Sequence, residues 1–233
     1  MMGEREGPLL EARGIVRDLG DSSAKTRVLH GITMDVRRGE LLALTGHSGS
    51  GKSTLLYLLG AIDRPDEGRV LFEGTDLGAL DDDDRAAFRG KKLGFVFQFH
   101  FLLPEFSVEE NVTLPMLRNG VAHEEAIARA HRALEWVGLT SYASRRPSQL
   151  SGGQAQRAAV ARATAHDPKL ILADEPTGSL DTKNATTVFE LLTSLVRERG
   201  ASVVVVTHDT DLAATCDRRV ALRDGRVVEE AGA

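Results

Sequence analysis

Gly46-His47-Ser48-Gly49-Ser50-Gly51-Lys52-Ser53 fits the phosphate-cradling pattern G-x-x-x-x-G-K-[ST] without a mismatch. Leu41-Leu42-Ala43-Leu44-Thr45 before it reads as a buried strand, and Thr54-Leu55-Leu56-Tyr57-Leu58-Leu59 after it as a helix. That is the strand–loop–helix setting the pattern requires. Glycines let the backbone wrap closely around an anion, so that successive N–H groups point at its oxygens. The helix that follows adds the positive end of its dipole. Gly46 to Thr54 are therefore the expected phosphate-contacting residues. Lys52 would reach the outer phosphates, and the Ser53 hydroxyl would ligate Mg²⁺. The bland alternative, a glycine-rich turn with a chance lysine, fits these flanks poorly. A nucleoside triphosphate is the expected ligand.

At 233 residues the chain is long enough to bury a full core as one domain, with room for a subdomain. A composition of 42% hydrophobic and 27% charged residues is that of an ordinary soluble globular protein. No apolar run approaches the ~18 residues a membrane span needs. Met1-Met2-Gly3-Glu4-Arg5-Glu6 lacks the layout of a secretory signal. The single cysteine, Cys216, excludes an intramolecular disulfide and suits a reducing compartment. Packing is the expected role of Cys216, with a nucleophile or metal ligand as the alternative. A net charge of −5 gives no global electrostatic case for nucleic acid.

Residues 9–16 and 28–36 read as strands separated by the break Leu19-Gly20-Asp21-Ser22-Ser23, a small antiparallel sheet leading into the phosphate loop. Further strands are expected at Val70-Leu71-Phe72 and at 93–97. Leu170-Ile171-Leu172-Ala173 and Val203-Val204-Val205-Val206 read as buried parallel strands. Between them, residues 185–198 have helical spacing, which is βαβ logic. Residues 99–166 differ. A helix is expected to open at Ser107-Val108-Glu109-Glu110, which has capping-box spacing. A second covers about 124–137, and a third opens at Ser151 and runs to about 165. The acidic run Asp81-Asp82-Asp83-Asp84 suits a helix start, where carboxylates complement the dipole; a metal cage is the alternative. The expected fold is α/β: a P-loop (RecA-like) core formed by residues 1–98 plus 167–233, including an N-terminal antiparallel β-subdomain, with a helical subdomain over 99–166.

Four further elements follow the loop in order. Gln98 stands directly after a strand. Leu150-Ser151-Gly152-Gly153-Gln154 opens a helix. Asp174-Glu175 ends an apolar strand, and Thr207-His208-Asp209 ends another. Each has a structural reading of its own: a cap for Ser151, strand-end polarity for the rest. Together, in this order, they make the chain resemble the nucleotide-binding subunit of an ATP-binding cassette (ABC) transporter over essentially its whole length. The resemblance implies ATP and Mg²⁺ as cofactors. It puts Ser53, Gln98 and Asp174 around the metal, Glu175 as general base, and His208 at the γ-phosphate. It implies that Ser151, Gly152, Gly153 and Gln154 bind the γ-phosphate held by a second copy, and that Asp181, in Gly178-Ser179-Leu180-Asp181, crosses the same interface. Leu19 takes the place where family members carry an aromatic residue against adenine, so apolar contact replaces stacking.

Within the family the sequence is most similar to the lipoprotein-releasing (LolD) and MacB-type cassettes. The segments carrying this are Lys92-Leu93-Gly94-Phe95-Val96-Phe97-Gln98-Phe99-His100-Phe101-Leu102-Leu103-Pro104 and Arg146-Pro147-Ser148-Gln149-Leu150-Ser151-Gly152-Gly153, joined by Asp174-Glu175-Pro176-Thr177-Gly178. Thr45-Gly46-His47-Ser48 is also similar to the division cassette FtsE. A DNA-repair-type cassette would need a long coiled-coil insertion before Ser151, for which the chain has no room. The resemblance implies membrane permease subunits of the LolC/LolE type, docked near residues 99–106, no nucleic acid, and a peripheral place on the cytoplasmic side of the inner membrane. Phe99, Phe101, Leu102, Leu103 and Phe106 are read as that partner surface, with burial beneath the helical insert as the alternative.

Overall fold

Residues 7–20 and 24–232 are described by the computed structural model. The N-terminal Met1 to Glu6 and the Asp21-Ser22-Ser23 part of the expected turn lie outside them. Two strands open the chain, β1 (Leu10–Leu19) and β2 (Thr26–Val36), and pair antiparallel. β3 (Leu41–Thr45) then feeds the phosphate loop and α1 (Lys52–Leu59). β4 (Glu67–Phe72) and the short β5 (Thr75–Asp76) return to the first sheet, which runs β2-β1-β4-β5. After α2 (Asp82–Lys92), β6 (Leu93–Phe97) starts the helical stretch α3 (Val108–Arg118), α4 (His123–Trp136) and α5 (Gly152–Thr164). The chain then alternates through β7 (Leu170–Asp174), α6 (Thr182–Arg199), β8 (Ser202–Val206) and α7 (Thr210–Ala214). It closes with a hairpin, β9 (Arg218–Arg223) and β10 (Arg226–Gly232).

The second sheet has the order β10-β9-β3-β8-β7-β6, parallel except for β10. Its central strands read as unbroken apolar runs because both faces are covered, and the period of two sorts their side chains into two cores. Leu42, Leu44, Leu170, Leu172, Val204 and Val206 pack on one face with α1 and the first sheet. Leu41, Ala43, Ile171, Ala173, Val203 and Val205 pack on the other with α5, α6 and the helical stretch. All twelve are buried, so truncating one such leucine to alanine would cost about 2–5 kcal/mol.

Local signals explain the ends of the elements. Ser107 caps α3 with a complete capping box to Glu110. Asp81 caps α2, and Asp82, Asp83 and Asp84 fill its first turn, so the acidic run is a helix start. Among the described residues no cluster of acidic, histidine or cysteine side chains is arranged as a metal cage. Cys216 is buried, its thiol pushed up to about 12 by burial, with Asp217 nearby adding to the rise. It is a packing residue, inert as a nucleophile. Arg218 ties the hairpin back to the start of the central sheet: its Nε donates to Glu40 Oε1 at 2.8 Å, and both side chains are buried.

Candidate active site

The phosphate loop is supported from an unexpected direction. Gly46 has φ +143°, and a side chain there would run into the carbonyl oxygen of Leu222 in β9. The β9–β10 turn is Asp224-Gly225, both at positive φ (47° and 68°) as a two-residue type I′ hairpin requires. Gly225 N–H donates to Ser50 O at 3.1 Å, while Gly225 O accepts from His30 N–H of β2 at 2.9 Å. A Cβ on Gly225 would collide with Val28 O. One bare glycine thus spans the loop and the first sheet. Asp224 Oδ1 also lies 3.4 Å from His47 Nε2. Sequence reasoning missed this hairpin, although Asp-Gly flanked by Leu222 and Val227 is a strong two-residue turn signal.

Inside the loop, Gly51 is the N-cap of α1 at φ 98° and contributes no side-chain cap. The first N–H groups of α1 are therefore left for a ligand. Lys52 is buried, and its ammonium folds back to donate to Gly46 O (2.8 Å) and His47 O (2.9 Å). Ser53 Oγ donates to Asp174 Oδ1 at 3.0 Å, joining the helix start to the end of β7. Burial pushes the Asp174 carboxyl above the usual carboxylate range; hydrogen bonds from Ser53 and Tyr57 oppose the rise, and neighbouring Glu175 adds to it. A buried carboxylate held up in this way is stabilised by a cation.

Glu175 follows with φ 46°, a left-handed conformation that is costly for a residue with a side chain. Two backbone bonds hold it: Glu175 N–H donates to Val206 O, and Glu175 O accepts from Gly178 N–H, each at 3.0 Å. The twist aims its carboxylate at His208, whose Nδ1 is 3.5 Å from Glu175 Oε2. Gln98 arrives from β6. A Cβ at Gly178 would lie 3.1 Å from Gln98 Nε2 and 3.4 Å from Glu175 Oε2, so both side chains converge on that point. Ser179 Oγ donates to Gln98 O at 3.1 Å, fastening the two segments. The ends of β3, β6, β7 and β8 thus bring the phosphate loop, Gln98, Asp174, Glu175 and His208 to one edge of the sheet, where open α/β sheets bind ligands.

The remaining expected site elements have partners of their own. Ser151 caps α5 in a closed capping box: its Oγ accepts from Gln154 N–H at 3.3 Å, and Gln154 Oε1 accepts from Ser151 N–H at 2.9 Å. Asp181 caps α6, accepting from Asn184 N–H (2.9 Å) and Nδ2–H (2.6 Å), and these bonds lower its pKa. Gly153 packs against the Asn184 side chain, so the α5 and α6 starts touch. Among the described residues no hydrogen bond or ion pair joins Ser151–Gln154 to the phosphate loop. Leu19 is 41% exposed at the end of β1, opposite Thr26, while Val28 and Leu29 are the β2 residues that abut Gly51.

This fold and this strand-end edge define a P-loop nucleotide-binding protein with an antiparallel β-subdomain and helical insertions. The family model described as ABC transporter matches residues 29–178, and the chain belongs to that family. It is similar to MJ0796, a bacterial ABC transporter cassette solved as a dimer: 38% identity over 96% of this chain and 98% of that one, with a TM-score of 0.89. The same cassette in a dimeric post-hydrolysis state bound to ADP and Pi matches with 38% identity, the same coverage and a TM-score of 0.88. CbiO1 from Clostridium perfringens, part of the ABC transporter complex cbiONQ, is 29% identical over 97% of this chain and 89% of that one, with a TM-score of 0.86. The chain is an ATP-binding and ATP-hydrolysing cassette. No helix among its described residues is long and apolar enough to cross a membrane.

Proposed function

We propose that two copies of this chain close head to tail over two ATP molecules and power a membrane complex that releases lipoproteins. The observation that carries the dimer is the split site. The phosphate loop, Asp174, Glu175 and His208 share one edge, while Ser151 opens α5 in a capping box that makes no hydrogen bond to them among the described residues. In the closed pair the Ser151 hydroxyl and the N–H groups of Gly152, Gly153 and Gln154 face the γ-phosphate bound by the partner copy. Asp181 reaches across the same seam.

Within each half, Lys52 leaves its two carbonyl partners for the β- and γ-phosphates. Ser53, Asp174 and the Gln98 amide form an all-oxygen donor set that suits Mg²⁺. Bound there, the ion would neutralise charge spreading over the phosphate oxygens. Glu175 takes a proton from the attacking water, and His208, beside it, holds that water in line with the γ-phosphate. Residues 1–98 and 167–233 act as the ATP-binding core and 99–166 as a helical arm that carries Ser151 toward the partner. Leu19 gives the base apolar contact.

Phe99, Phe101, Leu103 and Phe106 are all exposed (64%, 61%, 41% and 36%), which supports a docking surface for a permease of the LolC/LolE type. Leu102 does not belong to it: at 6% exposure it packs under the helical stretch. The cassette then sits peripherally on the cytoplasmic side of the inner membrane. Purified Glu175→Gln is expected to elute as a dimer in ATP and a monomer in ADP. Elution independent of nucleotide overturns the clamp, and reconstitution with LolC/LolE-type permeases without ATP-dependent lipoprotein release overturns the substrate.

A further inference from the structure

Ser50 is fully buried in the phosphate loop, and its Oγ has no hydrogen-bond partner among the described residues. Its backbone, in contrast, is engaged at both ends. Ser50 N–H donates to His47 O at 3.2 Å, and Ser50 O accepts from Gly225 N–H at 3.1 Å. The hydroxyl lies against Gly46, 2.8 Å from the point where a Cβ on that glycine would stand. A buried polar group without a partner costs free energy, so an idle donor at this depth calls for a physical reason.

The two carbonyls that hold the Lys52 ammonium differ in what each keeps without it. His47 O retains the Ser50 N–H. Gly46 O has no second donor among the described residues, and a backbone oxygen stripped of its donor weakens the loop that carries it. The idle hydroxyl beside Gly46 can be re-aimed by a turn about one side-chain bond. We propose that Ser50 is a positioning residue whose hydroxyl takes over Gly46 O when Lys52 swings to the phosphates. Serine and lysine then exchange one acceptor, and the loop keeps its backbone bonded with and without nucleotide. The inference rests on the departure of Lys52 proposed above and names what replaces it.

The test compares Ser50→Ala in two backgrounds, wild type and Lys52→Ala, by thermal unfolding of the full chain without nucleotide. In wild type the hydroxyl is idle, so its removal should leave Tm unchanged or raise it. In Lys52→Ala the hydroxyl already serves Gly46 O. Its removal there should lower Tm by about 2–4 °C, the shift of one hydrogen bond in a chain of this size. With Lys52 in place, Ser50→Ala should also bind a non-hydrolysable ATP analogue about 5-fold more weakly. A Tm lowered alike in both backgrounds overturns the exchange: the hydroxyl then serves a fixed acceptor such as Leu222 O, which approaches the same point. A Tm unmoved in both, with full analogue affinity in Ser50→Ala, overturns it as well. Wild-type analogue affinity in Lys52→Ala overturns the departure of Lys52, and the exchange with it. If Lys52→Ala does not fold, the analogue affinity of Ser50→Ala decides alone, and a wild-type value overturns the exchange.

Discussion

Helix α1 and helix α5, the two helices proposed to meet an anion at their starts, are finished in opposite ways. α1 starts from Gly51, which brings no side chain and no hydrogen bond to the exposed N–H groups. α5 starts from Ser151, whose hydroxyl and Gln154 close a reciprocal box. The first helix keeps its donors open because Lys52, Ser53 and Asp174 of the same chain are already gathered around them. The second occupies part of its donors internally, and under the proposed dimer it would exchange that cap for a ligand only when another copy brings one. On that proposal a local motif is a satisfied cap and half of a binding site at once.

Glu175→Gln gives the largest expected effect, a loss of about 10²–10⁴-fold in hydrolysis with ATP binding retained, measured by phosphate release and nucleotide titration. The sharper instrument on α5 is Ser151→Asp. Aspartate caps a helix as well as serine does, so thermal stability should hold, while its charge faces the incoming γ-phosphate. Hydrolysis and ATP-driven dimerisation should both drop by about 10²-fold. Wild-type hydrolysis in this variant would leave Ser151 as nothing more than a cap. Gly225→Ala moves the other side of the comparison: a strained φ and a collision with Val28 O should cost about 1–3 kcal/mol, seen as a lower Tm and weaker ATP binding. An unchanged nucleotide affinity would detach the hairpin from the loop.

Asp174→Asn gives the smallest change in stability. Burial raises the folded-state pKa of this carboxyl, so the folded chain keeps a proton that the unfolded chain has released. Stability is unpenalised below the unfolded value of about 3.9 and declines as pH rises toward the folded pKa. Above that, the penalty is constant. Without Mg²⁺ and nucleotide the Asn variant should melt above wild type at pH 7, with the gap closing in acid. With both added, wild type should gain more. Calorimetry at several pH values checks the sign.

The parallel core was legible because four of its strands are short apolar runs followed by polar strand ends, and the capping-box spacing at Ser107 and the cap at Ser151 marked two helix starts. The phosphate loop and the helix start after it were legible as well, because their pattern is local. Support for the loop was not. Gly225 lies far along the chain from Ser50, and no periodicity connects a hairpin turn to a phosphate loop. The left-handed backbone of Glu175 was equally hidden, since an acidic residue after a strand gives no sign of φ. Leu102 was read with its exposed neighbours because a run of large apolar residues does not tell which of them turns inward.

The place of β3 sets an order on the making of this protein. That strand is flanked by β8 and β9, and its loop rests on Gly225, so its neighbours emerge from the ribosome long after it does. A nascent chain therefore carries the whole phosphate-loop sequence for a long stretch of synthesis without a seat to hold it. A fragment broken off before the β9–β10 hairpin would lack the backbone that props the loop.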